Sequence, residues 1–275
     1  MSTIFNISDK IKLTNNPFPL LLNTYSGAAA AYSLRLLDFT YSGSAVRVRR
    51  ASDNAEQDIE FTNNELDTAS LESFASGTDA FVTTWYDQSG NGNDVTQTTA
   101  SNQPKIVSSG STITEGTKPS IDFLGSQYFP YGSIAFGNDA NIVSVVNNDS
   151  GLSGIFAVDD NPSANQGMQI WSFQNKYTAF SGGQLQDTDL SENKFAIIQA
   201  GRNTSSQFYM RINGTDFSVT PSSQDTDSRA YYIGTIRINQ YGFNGRMSEF
   251  IVYNQNMYSD IADIETNINT HYSIY

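Results

Sequence analysis

The chain has 275 residues, no cysteine, one histidine, and 28 acidic against 15 basic side chains, a net charge of −13. Without cysteine there is neither a disulfide framework nor a thiolate metal site, and His271 alone cannot build a multi-histidine zinc centre. An excess of negative charge repels phosphate backbones and anionic lipid, which argues against nucleic acid and membrane surfaces as partners.

The first residues, "MSTIFNISDKIKLTNNPFPLLLN", lack a basic stretch followed by an apolar one, so no signal peptide is expected. No apolar run is long enough to span a bilayer. Two prolines around Phe18 favour an extended segment. Residues 1–20 therefore read as an N-terminal arm or edge strand, and residues 21–275 as one domain. "SGAAAAYSLRLLDF" predicts a helix, capped by Ser26 and rich in alanine. "SAVRVRRA" alternates and predicts a strand, with "QDIEF" as a second short one. "LDTASLESFA" predicts a short helix with Asp67 as N-cap and Leu71 and Phe74 inward. "AFVTTWYDQ" predicts a strong strand. From there on, strand-like runs recur at roughly ten-residue spacing between Gly, Asn, Asp and Ser turns, the pattern of an antiparallel sandwich. Asn213-Gly214 between two such runs marks a hairpin. At the end, Ile261, Ile264 and Ile268 form the stripe of an amphipathic helix behind Ser259 or Asp260. His271, four residues from the terminus, is expected at the surface.

The stretch "WYDQSGNGND" places Asp87, Ser89, Asn91 and Gly92 at the first positions of a helix-loop-helix calcium loop. The bidentate Glu such a loop needs is Thr98 here, so that loop type is rejected. Asp87 and Asp94 could still serve as oxygen ligands of a looser calcium site; no other cofactor is expected. The weightier reading is a structural turn, with Asp87 accepting backbone amides and Gly90 and Gly92 supplying positive φ. Arg47 and Arg49, with Arg50, form a local basic patch. It would clamp an anionic sugar or a partner's carboxylate, or pair with Asp53, Glu56 and Asp58 on a solvated face. Tyr128 and Tyr131 in "YFPYG", and Tyr241 and Phe243 in "INQYGFNGR", read as loop aromatics able to stack on sugars.

Residues 27–107, with "GAAAAYSLRLLDF", "SGSAVRVRRASDN" and "WYDQSGNGND", resemble the N-terminal part of the arabinofuranosidase B-type catalytic domain. The remainder, with "QFYMRINGTDF" and the closing strand-plus-helix, is similar to the concanavalin A-like lectin/glucanase (laminin-G-like) class. The resemblance implies an all-β, two-sheet antiparallel jelly-roll sandwich with two or three short helices. It also implies where catalytic carboxylates would stand. The nucleophile of the relatives is a Glu in a "GNAE"-like segment after two adjacent cysteines. The matching "GIFAVDDNPSANQGMQIWSF" has neither, and Asp159 and Asp160 read as a turn. The acid/base Asp of a "GGDN"-like loop is matched by Thr235, Ile236 and Arg237. Because the same N-terminal block also occurs in bacteriophage particle proteins, the expectation is a non-catalytic virion component, a tail or capsid appendage or decoration protein. It would sit on the particle surface, bind host-surface glycan, dock to other virion proteins through residues 1–20, and form a homo-oligomer, a trimer by analogy. Two alternatives stand beside it: a glycoside hydrolase of arabinofuranosidase type, and a purely structural capsid or tail protein without ligand.

Overall fold

The computed structural model describes residues 19–135, 139–149, 153–158, 168–173, 176–181, 184–187, 195–204, 207–219, 228–237 and 240–275. All but the last two residues of the expected arm fall outside these. Two antiparallel sheets carry the fold. The larger runs, in spatial order, Thr215–Val219, Gln207–Ile212, Phe195–Thr204, Asn141–Asn148, Asn244–Tyr253, Ile121–Leu124, Lys105–Ser108, Ala80–Trp85, Val46–Arg50, Glu56–Ile59. The smaller runs Phe129–Ala135, Ser228–Ile233, Ser153–Val158, Met168–Phe173, Lys176–Ser181, Gln184–Asp187.

Period-two alternation sorts the larger sheet into two apolar faces. Ile142, Val146, Phe250 and Val252 face the smaller sheet and join Phe123, Phe129 and Phe156 in the main core. Phe156 and Phe250, one from each sheet, meet with ring centroids 5.0 Å apart. Val143, Val145, Ile197 and Ile251 face the other way and receive the C-terminal helix. That helix, α3 (Ile261–Tyr272), buries Ile261, Ile264 and Ile268, the stripe expected from the sequence. The short one-turn helix α1 (Leu21–Thr24) joins the same layer through Leu21 and Leu22. Helix α2 (Thr68–Phe74) begins as predicted, with the Asp67 carboxylate accepting the Ser70 N–H at 3.0 Å. Asn213 and Gly214 both take positive φ, 45° and 83°, and turn the hairpin between Ile212 and Thr215.

Two expectations are corrected here. Ala28–Ser33 is a strand paired with Asn244–Tyr253, with Ala30 opposite Val252 and Ala31 opposite Ile251. Ala30 lies in the main core and Ala31 in the outer layer, both fully buried. A strand covered on both faces takes its stability from burial and ladder hydrogen bonds, and these override alanine's weak intrinsic preference for helix. His271 is not at a frayed surface end. Asn269 accepts the Ile274 N–H at 2.8 Å and donates to the Tyr275 carbonyl at 2.8 Å, which pins the terminus. His271 packs edge-on against Tyr272 at 4.5 Å. Burial, reinforced by Arg35 and Lys118, pushes its pKa down to about 2. The Glu65 carboxylate 3.6 Å away favours the cation but is outweighed, so the imidazole is neutral at pH 7.

Beneath α3 lies a buried ion pair. Glu249 accepts from Arg35 Nε at 2.8 Å and Nη2 at 3.1 Å, from Ser33 Oγ at 2.9 Å and from Tyr272 OH at 3.2 Å. Arg35 also donates to Asn267 at 3.1 Å. The bidentate geometry and satisfied lone pairs are what a desolvated charge needs.

Candidate active site

The "WYDQSGNGND" stretch is a clamp on strand Ala28–Ser33. Asp87 is buried, and its Oδ1 accepts the N–H groups of Ala31 at 2.8 Å and Ser89 at 2.9 Å. Oδ2 accepts Ser89 Oγ at 2.7 Å and the Asn93 N–H at 2.9 Å. Asp94 accepts the Asp87 N–H at 2.8 Å, and Asn91 donates to the Ala28 carbonyl at 3.0 Å. Gln88 continues the clamp, donating to the Ser33 and Arg35 carbonyls and accepting the Leu37 N–H. Two donors stand on each Asp87 oxygen, the bonding that a structural turn requires. Among the described residues no group of three or more His, Asp or Glu side chains is placed to hold a metal ion. Asp87→Ala should orphan several buried donors and lower stability by about 2–3 kcal/mol in urea unfolding. Chelator should leave the midpoint of the unmutated protein unchanged; a fall would make Asp87 and Asp94 calcium ligands.

The structure does not bring the other sequence-selected residues together. Arg47 is held bidentately by Asp58 at 2.8 and 2.6 Å, and Tyr86 OH donates to the same carboxylate at 2.7 Å. Arg49 donates to Gln103 and Asn54, each at 2.8 Å, and lies over the Phe81 ring at 5.1 Å. Tyr128 is half-buried, edge-on to Tyr232 at 6.1 Å. Tyr131 pairs with Tyr231 in the smaller sheet, and its side chain lies outside what the structure describes. Tyr241 is exposed with φ 54°, whereas Phe243 is core, 5.6 Å from the Phe123 ring. Its expected place on a loop surface is corrected: Phe243 lies between two strands, its N–H on the Gly234 carbonyl and its own carbonyl accepting the Gly125 N–H, with its ring in the main core.

A different constellation has the chemistry of an active site. In strand Ile121–Leu124, Ile121 and Phe123 point into the main core, so Asp122 points to the outer face. Strand pairing sets Asp122 between Arg246 and Lys105, and Asn147 beyond Arg246. Asp149 follows two residues later, exposed, its N–H on the Asn244 carbonyl at 2.9 Å. Neither cation is committed to Asp122. Arg246 Nη1 donates to Glu115 at 3.0 Å and the Thr114 carbonyl at 3.1 Å, while its Nε stands 3.9 Å from Asp122. Lys105 pairs with Asp79 at 2.8 Å. Among the described residues nothing donates a hydrogen bond to the Asp122 carboxyl, and Asn147 Oδ1 and Arg246 Nε are buried without hydrogen-bond partners.

This isolation has an electrostatic consequence. Burial raises the Asp122 pKa and Asp149 adds to it; Arg246 and Lys105 pull the other way and do not win. The opposite holds at Asp38, Asp53, Asp58, Asp67 and Asp79, where hydrogen-bond donors hold each carboxyl below its ordinary range. Asp122 is thus a half-buried carboxyl biased towards its protonated form, with a second carboxyl close by. Two carboxyls in unlike environments can divide acid and base roles between them. Leu124 beside them is 59 % exposed, so this end of the outer face is not roofed by α3. Nothing in the sequence marks Asp122, because one Asp in "SIDFLG" looks like any outward strand residue. Its cross-strand neighbours come from positions 105, 147 and 246.

The two stretches implied as catalytic by resemblance are neighbours in the smaller sheet, with Phe156 opposite Ile233 and Ala157 opposite Tyr232. Asp159 and Asp160 lie outside the described residues. Thr235 and Ile236 are buried, and the Ile236 backbone nitrogen would stand 2.5 Å from a Cβ on Gly154.

A family model described as alpha-L-arabinofuranosidase B, catalytic, matches residues 23–176. No curated protein matches the chain. Among solved structures, an arabinofuranosidase complexed with arabinofuranosyl-alpha-1,2-xylobiose superposes with a TM-score of 0.71 at 17 % identity, covering 90 % of this chain and 64 % of that one. A mutant of a GH54 α-L-arabinofuranosidase, soaked with 4-nitrophenyl α-L-arabinofuranoside, gives the same figures. At this identity the structures share a fold, and the present chain spans 64 % of their length. The family match overturns the expectation of a non-catalytic virion component and of a chain that is not an enzyme. The non-catalytic part of that expectation rested on motif letters at two places, and the virion part on the occurrence of the N-terminal block in bacteriophage particle proteins. Glycoside cleavage requires two carboxyls flanking the bond, whichever strands supply them.

Proposed function

Since the chain belongs to the alpha-L-arabinofuranosidase B catalytic family, we propose that it is a glycoside hydrolase releasing arabinofuranosyl groups from a glycan. Asp122 is the proton donor and Asp149 the second carboxyl. As the glycosidic C–O bond breaks, the Asp122 O–H gives its proton to the departing oxygen. Asp149 attacks the anomeric carbon directly, or takes a proton from the water that does. In the first case water then displaces Asp149, and Asp122 takes that water's proton; in the second, exchange with solvent restores both groups. Arg246 and Asn147, with unengaged polar atoms on the same face, would orient sugar hydroxyls. The jelly-roll winding implied by the resemblance belongs to the same proposal.

The observation that supports this most is the family match joined to a donorless, half-buried Asp122 beside Asp149. The test is the pH profile of 4-nitrophenyl α-L-arabinofuranoside cleavage. A general acid must be protonated, so the rate should fall as pH rises through the Asp122 pKa. That pKa is raised, so the alkaline limb should lie higher in the carboxylate range than an exposed aspartate would place it. A rate rising throughout that range, with no such limb, would remove Asp122 from the role.

A further inference from the structure

The outer face of the larger sheet carries a second polar site, at the opposite end of strand Asn141–Asn148. One row of cross-strand neighbours reads Tyr253, Asn141, Gly201, Tyr209. Asn141 is 1 % exposed, and neither its Oδ1 nor its Nδ2 has a partner among the described residues. Tyr209 is 2 % exposed with its OH unpartnered. Gln199, one pleat along the strand from Gly201, is fully buried; its Nε2 donates to the Ile261 carbonyl at 2.7 Å, but its Oε1 has no partner. Unpartnered buried polar groups each cost on the order of 1–3 kcal/mol, and four such atoms on two adjacent rows make a concentrated cost. Gly201, having no side chain, lets Asn141 pack directly against its backbone. A Cβ there would lie 2.9 Å from the Ala140 carbonyl and 3.0 Å from Asn141 Oδ1.

The chemistry of this site selects its ligand. The four atoms are an amide donor, two amide acceptors and a phenol, all neutral. Burial pushes the Tyr209 phenol far up, so it stays protonated and can donate. Asp260 and Asp263 stand at the first turn of α3 and Asp216 influences Tyr209, which disfavours an anion. No carboxylate lies among the four, which disfavours a cation. Tyr258 closes the site edge-on over Tyr209, with ring centroids 5.0 Å apart, and is itself 43 % exposed. Such a ring can swing on its side-chain torsions and offer an apolar edge to C–H groups.

We infer that Asn141, Gln199 and Tyr209 form a second, non-catalytic site for a neutral hydroxyl-bearing ligand, a pentose unit, admitted by displacement of Tyr258. The choice of pentose rests on the glycosidase proposal; the site itself does not. It lies about 20 Å from the carboxyl pair, six residues along one strand at ~3.3 Å each. The test is titration of the full chain with L-arabinose, followed by the NMR shifts of the Asn141 and Gln199 side-chain amides. Saturable shifts are expected, persisting in Asp122→Asn and weakened about fivefold or more in Tyr209→Phe. Tyr209→Phe should leave arabinofuranoside cleavage at saturating substrate unchanged. Absence of saturable shifts, or equal affinity in Tyr209→Phe and in the milder Asn141→Ser, would overturn the inference and leave a pocket that holds water only. Cleavage without arabinose binding here would sink this site and spare the glycosidase proposal; binding here without cleavage would do the reverse.

Discussion

Asp122→Asn should lower kcat on an arabinofuranoside by about 10²–10⁴-fold, the usual contribution of a positioned general acid. KM should change little, because the amide keeps the carboxyl's shape and the proton is needed only as the bond breaks. The expected cost in stability is small or reversed in sign. Among the described residues no hydrogen bond reaches the Asp122 carboxyl, so its replacement orphans no donor. Exchanging a half-buried ionisable group for a neutral one also removes a desolvation cost. Loss of rate without loss of Tm separates a catalytic carboxyl from a structural one. Steady-state kinetics and thermal unfolding of the same preparation measure both. An Asp122→Asn protein with native kcat would assign the proton donor elsewhere.

Glu249→Ala should destabilise the protein by about 3–5 kcal/mol, the cost of leaving one partner of a buried ion pair uncompensated. Glu249 is fully buried, and its removal strands the Arg35 guanidinium together with Ser33 and Tyr272. Glu249 holds the Arg35 pKa up although burial alone would lower it, which is the electrostatic face of the same coupling. Because Arg35 also reaches Asn267 on α3, the damage should spread to the docking of that helix. Glu249→Gln keeps acceptors for Ser33 and one guanidinium N–H and should cost less. Urea unfolding, with hydrogen exchange on α3, distinguishes global loss from local release.

These two carboxylates also mark how far the amino-acid order could be followed by eye. Local signals were legible: Asn213-Gly214 specified its hairpin, Asp67 its cap, and the Ile261, Ile264, Ile268 stripe its helix. Asp87 was legible as a turn residue because its donors at Ser89 and Asn93 are close in sequence, though its grip on Ala31 was not. Ala28–Ser33 misled because helix propensity is a property of exposed segments, and this one is buried on both faces. The proposed functional cluster was hidden for a related reason. Asp122 becomes unusual only through what surrounds it, and Lys105, Asn147 and Arg246 are brought there by strand pairings over 17 to 124 residues. Tested as motifs, Thr235, Ile236 and Arg237 argued for an inactive chain, whereas the family match extends across residues 23–176 and does not depend on them.

The most direct measurement is release of free arabinose from arabinofuranosyl-α-1,2-xylobiose by the full chain, followed by chromatography beside the Asp122→Asn and Asp149→Asn proteins. The proposed mechanism predicts release by the unmutated protein and a fall of at least about a hundredfold in each variant. No release by the unmutated protein, or equal release by all three, would contradict it.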